Sequence, residues 1–197
     1  MAQILQSLYK TLFAGLVLLI IVLVIATSIT GNPIQFSHVW STFVVRWLHV
    51  VSGVMWIGLL WYFNFVQIPS MPSIPDEQKP AISKVIAPTA LFWFRYAALS
   101  TVITGLLVAW MQGYIVQALT LQTGVVAIGL GMWIALVMAF NVWFIIWPNQ
   151  KKALGIVVVE APEKAKAARL AMLTSRFNTM LSITMLYMMV AQQNAAL

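Results

Sequence analysis

Cysteine is missing from all 197 residues. The chain therefore cannot form a disulfide, a thiolate metal site, an iron–sulfur cluster or a covalently attached c-type haem, and any redox group would be held without a covalent bond. Charge is almost as scarce: Asp, Glu, Lys and Arg make up 8% of the chain, and only four of these residues are acidic. Asp76, Glu77, Glu160 and Glu163 all lie between apolar runs, which excludes a buried carboxylate as a metal ligand or proton relay. No lysine falls inside a span, so a retinal Schiff base is excluded. A phosphate-binding glycine loop, a nucleophile motif and internal repeats are also absent, which removes the signature of inverted transporter halves.

What the sequence has is apolar surface. Hydrophobic residues make up 62% of the chain and the mean hydropathy is +0.93, outside the range of a soluble globular domain. The net charge of +7 does not form a basic domain of the kind that binds nucleic acid. The cations sit at the ends of apolar runs, as membrane topology requires. The pattern predicts an all-α polytopic membrane protein, a single integral domain over residues 1–197. Its five transmembrane helices are expected at about 11–29, 40–68, 89–111, 122–147 and 169–191. The first could instead be a secretory signal peptide, with Lys10 before the apolar stretch and Ala26 as a small residue.

Gly31, Asn32 and Pro33 end the first helix, and His38 is expected in the connection after it, as a loop or interfacial histidine. Pro69 should end the second helix. The proline-rich, charged stretch that follows cannot cross a membrane, and residues 76–85 are expected to form a short helical turn. Pro148 should close the fourth helix, and Pro162-Glu163 reads as the start of the fifth. Lys10, the group Lys79, Lys84 and Arg95, and the group Lys151, Lys152, Lys164, Lys166 and Arg169 mark one side of the membrane. The positive-inside rule then puts the N-terminus in the cytoplasm and the C-terminus in the periplasm of a bacterial inner membrane, with Arg46 departing from the rule. Trp40, Trp47, Trp110, Trp143 and Trp147 fall near the predicted interfaces as an aromatic belt.

Two stripes of small residues predict close packing: Ala127, Gly131, Ala135 and Ala139 on the fourth helix, and Ala97, Thr101 and Gly105 on the third. These two helices are expected to touch, with a groove for a flat cofactor or lipid as the functional alternative. Ser175, Asn178, Thr179 and Ser182 give the fifth helix a polar face suited to interhelical hydrogen bonds. On the second helix, Arg46, His49, Gly53, Trp56, Leu60, Asn64 and Gln67 share one face. That face must look inward, because an ionisable group costs kilocalories in hydrocarbon.

Two readings of His49 stay open. As an axial ligand of haem b it would use Gly53, one turn away, to make room for the porphyrin, with Arg46 pairing a propionate and Trp56 beside it. As a packing residue it would hydrogen-bond a neighbouring helix while Arg46 snorkels to lipid phosphate. His38, eleven residues away and about 16 Å along a helix, is too far to share one iron. A sixth ligand would come from one of the 11 methionines, from a partner subunit, or not at all.

RWLHVVSGVMWIGLLWYFNFVQIP, residues 46–69, resembles the second-helix signature of the membrane domain of cytochrome-c-linked bacterial urate hydroxylases. LFWFRYAALSTVITGLLV, FNVWFIIWPNQKKAL and SRFNTMLSITMLYMM resemble later segments of that domain in the same order. The resemblance implies the same helical scaffold. The family's His-Trp-Phe-Lys-Trp-Glu run stands here as Phe92-Trp93-Phe94-Arg95-Tyr96-Ala97, and two further family histidines correspond to Gly129 and Phe177. Of the family's histidines His49 survives, and the cytochrome tail is absent. The resemblance therefore implies a scaffold kept for packing or binding rather than urate oxidation by this chain alone.

The first expectation for function is an accessory or structural subunit of a larger membrane redox or energy-transducing complex, with the bilayer and other membrane subunits as partners and no catalysis alone. The alternative is a haem b-binding redox protein that uses His49, passing electrons or oxidising a small urate-type substrate with a partner cytochrome. A small-solute carrier is disfavoured by the missing buried charge pairs and broken helices.

Overall fold

In the computed structural model, which describes residues 2–194, all regular structure among the described residues is helical. The chain divides between Ser41 and Thr42 into two compact units. After a short turn at Ala2–Leu5, the first unit holds α1, Leu8–Thr30, closed by Gly31 in the left-handed conformation at φ 66°. None of the side chains of α1 is buried.

The remaining elements are α2, His38–Ser73; α3, Lys79–Met111; the short α4, Ile115–Leu119; α5, Val126–Ala153; and α6, Ala161–Ala191. Four of these helices, α1, α2, α3 and α5, are long and apolar enough to cross a membrane. His38 is the first residue of α2 rather than part of a loop. The proline and glutamate expected to open the last helix do so, with Glu160 as N-cap, Pro162 in the first turn and Glu163 behind it.

The helix ends depart most from expectation at the prolines. Neither Pro69 nor Pro148 stops its helix, and the turn expected over residues 76–85 is the beginning of α3. Each proline is preceded by a widened, π-helical turn: Tyr62–Gln67 before Pro69, Ile82–Ile86 before Pro88 and Asn141–Ile146 before Pro148. A proline has no N–H for the carbonyl four residues back, and its ring would strike that carbonyl. Widening the turn lets the carbonyl reach the N–H five residues on, so the helix continues.

Two of these turns carry asparagines into the bundle. Asn64 Nδ2 donates to the Leu60 carbonyl and to Ser175 Oγ, both at 2.8 Å. Asn141 Nδ2 donates to Asn178 Oδ1 at 2.8 Å, and Asn178 Nδ2 donates to the Met138 carbonyl at 2.9 Å. Trp61 Nε1 donates to Ser182 Oγ at 3.0 Å. The polar face of α6 is thus an interhelical seam, except that Thr179 bonds the Ser175 carbonyl of its own helix.

The main core packs Trp56, Leu60 and Phe63 of α2 against Leu91, Phe94 and Ala98 of α3, Met138 and Val142 of α5, and Met185 of α6. A second cluster, Ala109, Ala118, Ile128 and Met132, lies around α4. The small-residue stripes find different principal partners from the one expected. Helices α3 and α5 do touch, but Gly131 of α5 faces Met188 and Met189 of α6, and Gly105 of α3 faces His49 of α2. Gly129 packs on the Ala118 carbonyl so closely that a methyl group there would overlap it.

Asn178→Ala strands Asn141 Nδ2 and removes a donor from Met138, and should cost about 1–2 kcal/mol, the upper range for polar pairs inside membranes. Thr179→Val, which breaks no interhelical bond, should cost less than about 0.5 kcal/mol. Reversible unfolding in mixed detergent micelles compares the two. Equal losses would remove the interhelical seam as a source of stability.

Candidate functional site

The four α2 residues singled out by the sequence, Arg46, His49, Gly53 and Trp56, line one cavity of about 860 Å³. This volume lies in the upper part of the range of roughly 300–1,000 Å³ found for ligand sites. The wall is completed by Thr101 and Gly105 of α3, Ile128, Met132 and Ala135 of α5, and Met185 and Met189 of α6. Most of it is apolar, with three glycines, Gly53, Gly58 and Gly105, on the α2–α3 side. Gln112, Tyr114, Gln192 and Gln193 join Arg46 as the polar lining.

The position of His49 follows from Gly105. A methyl group on Gly105 would stand 2.7 Å from His49 Cε1, so only glycine lets the imidazole lie against α3. There Nδ1 is 2.9 Å from the Thr101 carbonyl oxygen and 3.3 Å from Thr104 Oγ1. Thr104 spends its own hydroxyl proton on the Ser100 carbonyl at 2.6 Å. Both neighbours of Nδ1 therefore accept, and Nδ1 must carry the hydrogen. In the neutral ring this leaves the lone pair on Nε2, since the hydrogen bonds of the ring among the described residues both run through Nδ1. Fixing one ring nitrogen against a backbone carbonyl is how proteins orient a histidine that ligates metal through the other. The same tautomer cannot donate to a ligand carbonyl such as that of a quinone.

Two further residues of the lining carry polar groups without partners among the described residues. Trp56 is fully buried and its indole Nε1 has no acceptor. Arg46 is half-buried and forms no ion pair among the described residues. Burial raises the phenol of Tyr114 above its ordinary value, a shift that the nearby charge of Arg46 opposes. Tyr114 is thus a neutral hydroxyl beside a cation.

Sequence reasoning found the α2 face but not the Thr101 carbonyl or the polar lining. The Ala97, Thr101, Gly105 spacing was the available signal for α3, and it marked a close approach without saying to which helix. Phe92 and Phe177, two positions where the resembled family has histidine, are both 47% exposed and do not line this cavity. Among the described residues no three His, Asp or Glu side chains form a group able to hold a metal ion; Met132, Met185 and Met189 share the cavity lining with His49.

Gly53 and Gly105 separate the packing requirement of the site. At Gly53 an added methyl would meet only Thr101 Cγ2, at 3.9 Å. Gly53→Ala should therefore be neutral or stabilise by up to about 1 kcal/mol. Gly105→Ala should cost about 1–3 kcal/mol through overpacking on the imidazole, and much of that cost should vanish when His49→Ala is also present. Thermal unfolding of the four variants in detergent gives the coupling directly, and additive costs for Gly105→Ala and His49→Ala would contradict the seating of the ring. The chain matches no protein-family model, no curated protein and no solved structure.

Proposed function

We propose that this protein is a five-span membrane subunit that holds haem b in the cavity beside His49 and serves a larger membrane redox assembly. The single observation that carries the reading is the 2.9 Å contact of His49 Nδ1 with the Thr101 carbonyl, which leaves Nε2 without a partner among the described residues, at a residue that lines an apolar cavity of about 860 Å³. The residues present suit a flat, amphiphilic, iron-bearing ring. The glycine-lined wall at Gly53, Gly58 and Gly105 leaves room for its plane, and Arg46 and Tyr114 offer a cation and a hydroxyl for carboxylates. Haem b, when bound, supplies one-electron transfer. The chain's own part is to present a lone pair at a fixed orientation, to exclude water with apolar walls and to neutralise negative charge at the polar lining.

The fifth span is α6. Its 31 residues reach about 46 Å, enough for a core of about 30 Å. Its polar residues lower its hydropathy, but Ser175, Asn178 and Ser182 are bonded to other helices and are not presented to lipid. Arg176 is exposed, and its long stem can carry the charge to the headgroups. With the lysines of the proline ends on the cytoplasmic side, the N-terminus is cytoplasmic, the C-terminus periplasmic, and the His49 end of the bundle faces outward. Membership in a larger assembly follows from the redox role proposed for the cavity, since an electron carrier needs a donor and an acceptor.

Protein purified from its native membrane in mild detergent should show a Soret band that shifts on chemical reduction, and His49→Ala should abolish it while circular dichroism stays unchanged. A cofactor-free spectrum from the native membrane, or a Soret band indifferent to His49→Ala, would leave a purely structural subunit as the reading.

A further inference from the structure

The opposite end of the bundle carries a second group of polar atoms without partners. Arg95 is only 9% exposed, and its Nη1 is buried with no hydrogen-bond acceptor. Trp143 Nε1 is buried and equally unpartnered. The Arg95 guanidinium lies 3.3 Å from the centre of the Trp147 ring, one turn from Trp143, and Lys151 Nζ lies 5.7 Å from the same centre. Both cations fall inside the roughly 6 Å range in which an aromatic face attracts a positive charge.

That attraction leaves the charge uncompensated. The ion pairs among the described residues are Lys79 with Asp76 and Lys152 with Glu163, so no carboxylate reaches Arg95 or Lys151. A buried guanidinium without a counter-ion costs several kilocalories unless an anion supplies it. Arg95 is about 24 Å along α3 from Met111, close to the far edge of a core of about 30 Å. Beside it runs an aromatic face whose Phe92 and Tyr96 are each 47% exposed, with Phe92 and Tyr96 at 4.7 Å between ring centres and Tyr96 and Trp143 at 5.8 Å.

We infer that Arg95, Trp147 and Lys151 form a binding site for the phosphate headgroup of an anionic phospholipid, whose acyl chains lie along the aromatic face of Phe92 and Tyr96. The phosphate supplies the missing counter-charge and acceptor, and the guanidinium fork suits two of its oxygens. The neighbouring lysines add to the attraction, as basic pockets between membrane helices do for anionic headgroups. This site is independent of His49.

The test uses the full chain, delipidated in a neutral detergent, with lipid binding read by native mass spectrometry. Phosphatidylglycerol should bind saturably and more tightly than phosphatidylcholine, and excess inorganic phosphate should not displace it. Arg95→Gln and Lys151→Gln should each weaken phosphatidylglycerol about fivefold, a magnitude set by the contribution of one cation near a phosphate. Lys164→Gln, which removes an exposed charge elsewhere, should leave it unchanged. Since Arg95 is buried and its variant can misfold, Lys151→Gln against Lys164→Gln is the deciding pair. Equal binding of the two lipids, equal effects of the two lysine variants, or full displacement by inorganic phosphate would overturn the lipid site, the last by making the ligand a free anion.

Discussion

A polar side chain inside hydrocarbon must find its partner within the protein, and this constraint arranges the bundle. Interhelical hydrogen bonds answer it, among them His49 to the Thr101 carbonyl, Trp61 to Ser182, Asn64 to Ser175, and Asn141 to Asn178. Together they tie α2 to α3, and tie α2 and α5 to α6. Apolar packing alone discriminates weakly between helix–helix and helix–lipid contact, so these bonds set register as well as adding stability. The groups that escape the rule then become informative. Trp56 Nε1 lies at the His49 cavity, while Arg95 Nη1 and Trp143 Nε1 lie near the basic end. Asn64 Oδ1 and Gln67 Oε1 are also buried without a partner among the described residues, on the same face of α2 and outside the lining of the His49 cavity.

The prolines contribute to the same arrangement. Pro69, Pro88 and Pro148 each follow a π-helical turn, and the turns before Pro69 and Pro148 contain Asn64 and Asn141. The residue that threatens the helix ladder is thus accommodated by the turn that brings an amide to its partner. A widened turn also exposes backbone groups that ordinary helix conceals, which is why such turns recur at functional sites.

Much of this was legible in the sequence, because it depends on periodicity. The inward face of α2, from Arg46 to Asn64, and the polar seam of α6 both follow from spacing along one helix. The helix ends at Pro69 and Pro148 were misjudged because a proline reads as a stop, whereas the π turn that rescues it has no signature of its own. The small-residue stripes announced close approach, but choosing between α2, α5 and α6 as partner required the three-dimensional arrangement. The cavity was invisible for the same reason: it is a space bounded by α2, α3, α5 and α6, and no single helix encodes it. Thr101 matters through its backbone carbonyl, which its side chain does not advertise.

The most direct measurement is an experimental structure of the protein isolated from its native membrane, resolved well enough to see what fills the space beside His49. The expected result is a flat, iron-centred density ligated by His49 Nε2, with Nδ1 still on the Thr101 carbonyl and the anionic edge of the ring toward Arg46 and Tyr114. Acyl chains or ordered water in that space, with Nε2 turned to a protein acceptor, would contradict the assignment of His49 as a ligand.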